Sequence, residues 1–385
     1  MWPVLLFVGV LALCSGSIAV NMESMNAMEI LKAYNTPAEE HEIVTEDGYK
    51  LKLHRMLPLE ENSKPPVLMQ HGLFAVSDTW VMMGPKKDLA FLLREKGFDV
   101  WLGNYRGNPY GGHINMSKQD REFWDYSFHE MGYYDMSAMV DHVLNTTNKP
   151  DLIYIGHSMG TTVSYILCST RPEYNQKIRL LISLAPVAYL NHIPFAILKE
   201  ASKFRKTVYK EFMKQKVYEF PKLQVVKKLL ADFCRDGSFF QSQCLTLINI
   251  VNGFDNIQFN KSILPMAVSH LTTSSANTIM HFSQHVLNGK FQHFDHGISK
   301  NMELYGTIEP PSYNLSQVAV PVLLYWGKND NLVGDKDVSR LAKDLPNAKK
   351  FMIPHKYFNH LDFLWGFDVV KLLYNDILKR IDSVL

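Results

Sequence analysis

The segment Asp151-Leu-Ile-Tyr-Ile-Gly156-His157-Ser158-Met159-Gly160-Thr161-Thr162 decides the expected fold. It joins an apolar run, typical of a buried strand, to a helix-like stretch through the pattern Gly-X-Ser-X-Gly. The two glycines let the chain turn sharply, so that the Ser158 hydroxyl stands exposed at the end of the strand. N–H groups at the start of the helix favour negative charge that develops nearby. This context, together with partner residues downstream, distinguishes the motif from a chance match.

The partner residues lie far along the chain. A serine hydroxyl is a weak nucleophile at neutral pH and needs a general base, which itself needs an orienting carboxylate. Asp330 ends the turn after the strand-like run 322–326, and His360 lies in a loop after the last predicted strand. The chain order Ser, Asp, His is the one that accompanies this motif. The sequence therefore predicts Ser158, Asp330 and His360 as a catalytic triad.

Neighbouring acids and histidines are expected to be structural. Asp335 and Asp337 lie further from the strand end, near a helix start, and are interpreted as capping and surface residues. Asp362 and His355 are interpreted as structural and loop residues. His157, directly before the serine, is interpreted as a packed or orienting residue and not as the base.

Main-chain donors for a developing oxyanion are predicted at two places. The first is the N–H of Met159, next to the nucleophile. The second is the N–H of Leu73, in the loop after the strand-like run Val67–Gln70, where Gly72 allows a close approach. Both donors are backbone groups, so the side chains there can vary.

Short apolar runs recur along the chain with helical patterns between them, which predicts a mostly parallel sheet flanked by helices. Asp47-Gly48, between two alternating runs, predicts an antiparallel hairpin at the start of this α/β sheet. The predicted parallel strands are Val67–Gln70, Asp99–Leu102, Leu152–Ile155, Leu180–Leu184, Val322–Trp326 and Phe351–Ile353.

The alternation of strands and helices stops between residues 191 and 309. Helical patterns rich in Phe and Met fill this stretch, which is read as a mainly helical cap inserted into a core of residues 20–190 and 310–385. A separate domain is the alternative reading. The return of strand-like sequence at Val322 favours the insertion.

The N-terminus predicts a secretory signal peptide over residues 1–19, with cleavage after Ser17 or Ala19. Its apolar run, Val4–Leu13, is shorter than the ~20 residues that span a bilayer, which argues against the alternative of a membrane anchor. No other segment is long and apolar enough to be a transmembrane helix, so the mature chain is expected to be soluble.

Cysteines and sequons agree with a secretory route. Three cysteines remain once Cys14 leaves with the signal peptide, and an oxidising compartment favours one disulfide. Cys234 and Cys244 can close a short loop, whereas Cys168 lies in a helix-like stretch and is expected to be a buried thiol. Glycosylation is predicted at the four sequon residues, Asn115, Asn145, Asn260 and Asn314.

Composition argues against several other classes of protein. A formal net charge of +2 gives no basis for a nucleic-acid partner. The chain has no CxxC or HExxH spacing, so neither a metal nor another cofactor is expected. The dense histidines are interpreted as surface and packing residues; they are His281, His285, His293 and His296.

Taken together, these motifs resemble the acid lipases, the gastric and lysosomal acid lipase group with its insect relatives, within the α/β-hydrolase superfamily. The resemblance covers nearly the whole mature chain, and the blocks are specific only in combination. They are EEHEIVTEDGYKLKLHR, PPVLMQHGLF, GFDVWLGNYRGN, IGHSMGTT, SLAPVA, NGKFQHFDHG, WGKNDNLVGDKDV and FNHLDFLWG.

The resemblance implies an α/β-hydrolase fold and hydrolysis of neutral lipid esters, triacylglycerols or cholesteryl esters, at an oil–water or membrane surface. It also implies that part of the 191–309 cap moves as a lid. It assigns Ser158 as nucleophile, Asp330 as acid, His360 as base, Leu73 and Met159 as oxyanion donors, and Cys234–Cys244 as the disulfide.

Three positions depart from the family pattern. Met159 stands where the family usually has Gln after the nucleophile, which leaves the backbone donor in place. The Cys234–Cys244 spacing is one residue longer than in the mammalian members. Asn252 stands where a free cysteine often precedes Gly-Phe-Asp.

Other functions remain open from the sequence. A soluble carboxylesterase or an acyltransferase would use the same Ser158. A non-catalytic lipid-binding protein on this scaffold would be expected to lose the nucleophile or the base, and this chain keeps both. An extracellular destination, for example a gut lumen, is predicted, with the lysosome as the alternative, and the oligomeric state is open.

Overall fold

The computed structural model describes residues 22–60, 64–221, 227–235, 237–255 and 257–385. The predicted signal peptide, residues 1–19, lies outside the described residues. Within the described part of the chain, no helix combines the length and the apolar character needed to cross a membrane.

Eleven strands occur in the described residues, and nine of them form one sheet. In chain order they are β1 (Ala38–Val44), β2 (Tyr49–Met56), β3 (Val67–Gln70), β4 (Val100–Gly103), β5 (Gly112–His113), β6 (Leu152–His157), β7 (Ile178–Leu184), β8 (Glu219–Phe220), β9 (Ser274–Ser275), β10 (Val322–Trp326) and β11 (Ala348–Met352).

The large sheet has the order β1-β2-β4-β3-β6-β7-β10-β11, with β5 paired to β2. Every neighbouring pair from β4 to β11 is parallel, whereas β2 runs antiparallel to both β1 and β4. The parallel strands β3, β4 and β6 are buried along their whole length, as expected for strands covered on both faces. β8 and β9 form a separate two-stranded ladder.

Helices α2, α4, α5 and α13 pack on strands of the large sheet. The α-helices of the described residues are α1 (Ala27–Ala33), α2 (Leu89–Glu95), α3 (Phe128–Glu130), α4 (Met136–Thr147), α5 (Met159–Thr170), α6 (Ala196–Lys203), α7 (Arg205–Lys214), α8 (Lys227–Cys234), α9 (Gln241–Asn252), α10 (Leu264–Ser269), α11 (Ala276–Asn288), α12 (Ile298–Tyr305), α13 (Asp335–Asp344), α14 (Asp362–Trp365) and α15 (Asn375–Asp382).

The strands follow the sequence prediction closely, with one instructive shift. The Asp47-Gly48 turn joins β1 to β2, and Gly48 has a φ of +88°, a conformation that favours glycine. The last strand was predicted at Phe351–Ile353 but spans Ala348–Met352. Its first residues include Lys349 and Lys350, which an exposed edge strand tolerates but an apolar pattern does not reveal.

In the described part of the stretch between β7 and β10 lie seven α-helices, α6 to α12, and the β8–β9 ladder. Cys234, the last residue of α8, forms a disulfide with Cys244 of α9, with 5.4 Å between their Cα atoms. Both cysteines are buried. The third cysteine of the described residues, Cys168, is a buried free thiol in α5.

A buried arginine ties the first hairpin to the middle of the sheet. The Arg106 side chain is 1% exposed and lies 2.6 Å from both the Asp135 and the Asp47 carboxylates. Its guanidinium also covers the Tyr49 ring at 3.9 Å. Burial raises the pKa of Asp135 to about 6 even though Arg106 lowers it. Arg106 and Asp135 are therefore two buried charges that stabilise each other by direct contact.

Arg106→Met is expected to destabilise the protein by about 3–5 kcal/mol, because it leaves Asp135 buried without its cation. Denaturant unfolding measures this change. Arg179→Met is the matched control, since its partly exposed pair with Asp151 is expected to contribute at most about 1 kcal/mol. Equal losses in the two variants would contradict the burial argument.

Candidate active site

Four loops meet at the carboxyl edge of the sheet, because the carboxyl ends of parallel strands lie together. Ser158 directly follows β6, and Asp330 follows β10. His360 lies in the loop after β11, and Gly72 and Leu73 lie in the loop after β3. The sheet topology thus brings residues from distant parts of the sequence to one place.

Ser158 occupies a strained turn between β6 and α5. Its φ of +54° and ψ of −120° are rare for a residue with a side chain, and such strain costs on the order of 1–3 kcal/mol. The Ser158 N–H donates to the Leu184 carbonyl at 2.9 Å, which helps to hold the turn. α5 begins one residue after the serine, at Met159.

Two glycines make this sharp turn possible by letting backbones approach. A Cβ on Gly156 would lie 2.6 Å from the Gly160 carbonyl carbon. A Cβ on Gly160 would lie 2.4 Å from the Gln70 carbonyl oxygen. Both distances are shorter than any real carbon contact, so the first turn of α5 packs on the strand ends only without side chains there.

The structure brings Ser158, His360 and Asp330 into one hydrogen-bonded chain. The Ser158 hydroxyl oxygen lies 2.9 Å from His360 Nε2. His360 Nδ1 lies 2.8 Å from Asp330 Oδ2. Asp330 is 1% exposed and His360 5%, whereas Ser158 is partly exposed. A substrate can therefore reach the hydroxyl, while the imidazole and the carboxylate are shielded from water.

Asp330 is fixed through both carboxylate oxygens. Oδ1 accepts the N–H groups of Leu332 at 2.8 Å and Val333 at 3.0 Å, and this leaves Oδ2 for His360. Because a carboxylate only accepts hydrogen bonds, His360 Nδ1 must carry the proton in this contact. His360 Nε2 is then free to accept the serine proton.

Two buried histidines donate hydrogen bonds to backbone carbonyls beside the site. His157 Nε2 donates to the His360 carbonyl at 2.9 Å, which agrees with the expected packed or orienting role. Burial lowers its pKa well below the ordinary value of 6.5, so the ring stays neutral. His71 Nδ1 donates to the Gly72 carbonyl at 2.8 Å, and burial lowers its pKa to about 4.

The loop after β3 lies directly beside the serine. A Cβ on Gly72 would stand 3.1 Å from the Ser158 Cβ, so the backbone of Gly72 and Leu73 borders the site. The Leu73 N–H has no acceptor among the described residues. Met159 is the first residue of α5, where a backbone N–H lacks an intrahelical partner. Two free N–H groups thus flank Ser158.

The segment after α9 docks on the loops that carry Asp330 and His360. The Asn252 carbonyl accepts the N–H of His360 at 3.2 Å and that of Asn331 at 3.3 Å. The Gly253 carbonyl accepts from Asn359 Nδ2 at 2.9 Å. The sequence did not indicate this contact, because main-chain carbonyls make it and any residue type supplies a carbonyl.

One interpretation of the neighbouring acids is wrong. Asp337 is buried, not a surface residue, and its carboxylate accepts the His192 N–H at 2.8 Å and contacts His192 Nδ1 at 2.9 Å. The α13 helical pattern could not reveal a partner 145 residues away. Asp335 is exposed in the first turn of α13, as expected.

The dense histidines include both packing and surface residues, as interpreted, since His296 is exposed and His293 is partly buried. His281 and His285 are buried, and each ring places its Nε2 atom 2.9 Å from the Gln292 carbonyl. Both serve packing, and burial lowers the pKa of His285 to about 4. The sequon residues Asn115, Asn145 and Asn314 are exposed, whereas Asn260 is half-buried.

Comparisons with known proteins give one consistent family. The model of the alpha/beta hydrolase fold matches residues 65–367, and the model of a partial alpha/beta-hydrolase lipase region matches residues 27–84. Lipase 1 of Drosophila melanogaster is 37% identical, over 94% of this chain and 80% of its own length. Human gastric triacylglycerol lipase is 35% identical, over 94% and 92%. A putative lysosomal acid lipase/cholesteryl ester hydrolase of Crotalus adamanteus is 36% identical, over 94% and 91%.

Solved structures agree on the fold. A putative lipase from Sulfolobus solfataricus superimposes with a TM-score of 0.55 over 90% of this chain and 99% of its own, at 14% identity. A monoglyceride lipase from Saccharomyces cerevisiae gives 0.52 over 91% and 95%, at 17% identity. With sequence matches that span nearly its whole length, this chain belongs to the α/β-hydrolase superfamily, in the lipase family that includes the gastric and lysosomal acid lipases.

Proposed function

We propose that this carboxylic-ester hydrolase is a lipase that cleaves neutral lipid esters through an acyl-enzyme on Ser158. The observation that carries the proposal is the continuous hydrogen-bonded chain from the Ser158 hydroxyl through His360 to the buried Asp330. This arrangement makes a serine nucleophilic without a metal or cofactor.

The reaction proceeds in two acyl transfers. His360 Nε2 takes the hydroxyl proton as Ser158 Oγ attacks the ester carbonyl, and Asp330 stabilises the imidazolium that forms. His360 then gives the proton to the alcohol oxygen as the ester bond breaks. Water attacks the acyl-enzyme in the same way, releasing the carboxylic acid and restoring the serine.

The tetrahedral intermediate of each step carries an oxyanion that needs donors. The free N–H groups of Leu73 and Met159 are the donors we propose. Each such donor is typically responsible for a factor of about 10²–10³ in kcat. Gly72 permits the close approach because a side chain there would crowd Ser158.

Lipid as the substrate is supported by the relatives and by the chain's surface. The curated relatives are named as a triacylglycerol lipase and a cholesteryl ester hydrolase. We propose that residues 191–309 form a cap over the site and that part of it moves as a lid. Large apolar side chains there are more than half exposed, as an oil-facing surface requires; they are Ile197, Phe204, Phe239, Leu247, Phe254 and Ile257.

A comparison of substrates tests this proposal. Wild type and Ser158→Ala are assayed on a soluble short-chain ester, on emulsified long-chain triacylglycerol and on emulsified cholesteryl ester, at acidic and neutral pH. We expect strong Ser158-dependent activity on the emulsions, rising sharply once the substrate exceeds its solubility. Activity on the soluble ester alone would contradict the lipase assignment and leave a soluble esterase. Acyl transfer to an added alcohol in preference to water would indicate an acyltransferase.

We also propose that the protein acts outside the cell. Its relatives are named as gastric and lysosomal lipases, which indicates a secreted or a lysosomal enzyme. The Cys234–Cys244 disulfide is stable in an oxidising compartment. Exposed sequon residues such as Asn115 and Asn145 are accessible to glycosylation.

A further inference from the structure

Three asparagines stand next to the acid and the base of the proposed proton relay. They are Asn329 and Asn331, on either side of Asp330, and Asn359, directly before His360. An asparagine amide nitrogen carries two N–H donors, and backbone carbonyls are ready acceptors for them. All three amides donate to carbonyls of one segment, residues 250–254, which contains the end of α9 and the two residues after it. The neighbours of the relay are therefore bonded to the stretch proposed as the cap.

The end of α9 offers these carbonyls because a helix cannot satisfy its last turn. The last four C=O groups of an α-helix have no intrahelical donor and need partners from elsewhere. The Ile250 carbonyl accepts from Asn331 Nδ2 at 2.9 Å. The Asn252 carbonyl accepts the backbone N–H of Asn331 at 3.3 Å and that of His360 at 3.2 Å. The two loops thus supply donors that complete the end of the helix.

Asn329 joins three segments at one point. Its Nδ2 donates to the Phe254 carbonyl and to the Tyr357 carbonyl, both at 2.9 Å, so both amide protons are used. Its backbone N–H donates to the Phe358 carbonyl at 3.3 Å. Tyr357 and Phe358 lead into the loop of His360. One residue therefore links the loop of the acid, the loop of the base and the segment after α9.

Gly253 brings the segment against both loops. Its φ is +111°, a conformation that favours glycine. A Cβ there would overlap the Asn329 carbonyl oxygen and stand 3.0 Å from the Asn359 Cβ. The Asn359 amide, on a residue that is 1% exposed, donates to the Gly253 carbonyl at 2.9 Å. The contact is thus both close-packed and hydrogen-bonded, which fixes the two loops relative to each other.

We propose that these three asparagines are positioning residues: their amides clamp the loops of Asp330 and His360 to the end of α9 and keep the two relay groups at hydrogen-bond distance. The inference rests on the proposed function, because it needs Asp330 and His360 in their catalytic roles. Catalysis depends strongly on this geometry, and a misplacement of about 1 Å can lower the rate by about 10²-fold. The clamp makes the end of α9 a part of the active-site scaffold.

Asn329→Leu tests the inference, because leucine has a similar size and no donor. On a soluble short-chain ester, we expect kcat to fall by about 10- to 100-fold while KM stays close to that of wild type. The rate of fluorophosphonate labelling at Ser158 should fall by the same factor, since the serine needs the relay in this reaction too. Loss of kcat at constant KM indicates misplaced reacting groups, whereas a general loss of folded protein would not divide the two constants in this way.

Asn175→Leu is the matched control. Asn175 is also half-buried, and its amide also donates to two backbone carbonyls, those of Cys168 and Pro172, both at 2.9 Å. It directly precedes β7 and so lies at the amino edge of the sheet, opposite the site. This variant loses a comparable set of hydrogen bonds. It should therefore unfold at a lower temperature, as Asn329→Leu does, but keep the wild-type kcat and labelling rate.

A second background separates positioning from general damage. Asp330→Asn already breaks the relay, so adding Asn329→Leu should lower the labelling rate little further, because effects that act through one unit are not additive. Losses that multiply in the double variant would show that Asn329 acts independently of the relay, and this would overturn the inference.

A folded Asn329→Leu with wild-type kcat and labelling would also overturn the inference, and so would an equal loss of kcat in Asn175→Leu. If Asn329→Leu does not fold, Asn331→Leu replaces it, because it removes only one amide bond. Labelling of Ser158 in a wild type that hydrolyses none of the lipid esters would overturn the proposed function, while the labelling rates would still decide the inference. A wild type that is not labelled at Ser158 would overturn both.

Discussion

Ser158→Ala is expected to lower kcat for ester hydrolysis by on the order of 10⁶-fold, while substrate binding changes little. In the proposed mechanism the serine oxygen forms the acyl bond, and no neighbouring group can replace it. The same variant should lose covalent labelling by a fluorophosphonate probe, which reads nucleophilicity without a substrate. Stopped assays on a soluble ester, with the probe experiment beside them, measure both effects.

The members of a catalytic triad act as a unit, so a second set of variants tests the same assignment. His360→Ala should cost about as much as Ser158→Ala, and the double variant should cost no more than either. Ser169→Ala, in the last turn of the same helix, is the matched control and should keep full activity and labelling. Probe labelling of Ser158→Ala at the wild-type level would show that the nucleophile is a different residue.

Asp330→Asn is expected to lower kcat by about 10⁴-fold with the fold intact. The amide oxygen can still accept the Leu332 and Val333 N–H groups, so the loop keeps its conformation. The amide nitrogen then faces His360 Nδ1 as a donor and favours the tautomer that carries the proton on Nε2. That tautomer cannot accept the Ser158 proton, so the base is lost although every group remains in place.

Asp335→Asn is the control for this change, because Asp335 is an exposed carboxylate five residues further along. It should retain wild-type kcat, and both variants should unfold near the wild-type temperature. A loss in Asp330→Asn that accompanies a large drop in unfolding temperature would indicate a structural role instead. A loss of kcat below tenfold in Asp330→Asn would contradict a role for Asp330 in the proton relay.

Local sequence predicted the elements that carry the site. The Gly-X-Ser-X-Gly turn requires glycine at both ends because a Cβ at either position would lie within 2.6 Å of backbone atoms, so the motif can be read from residue type alone. Apolar runs predicted the buried parallel strands, and the chain order of Ser158, Asp330 and His360 predicted which residues form the triad. The edge strand β11 was placed less well because its lysines hide the apolar pattern.

The sequence by itself therefore predicted the fold class and the three residues that the structure joins by hydrogen bonds, since each lies in a local pattern of side-chain types. Only the tertiary structure revealed the docking of Asn252 and Gly253 on the histidine loop. The physical reason is that these contacts join segments more than 100 residues apart. They use backbone carbonyls, which every residue has. Which carbonyl meets which loop is decided by the folded chain and is not encoded in any local pattern.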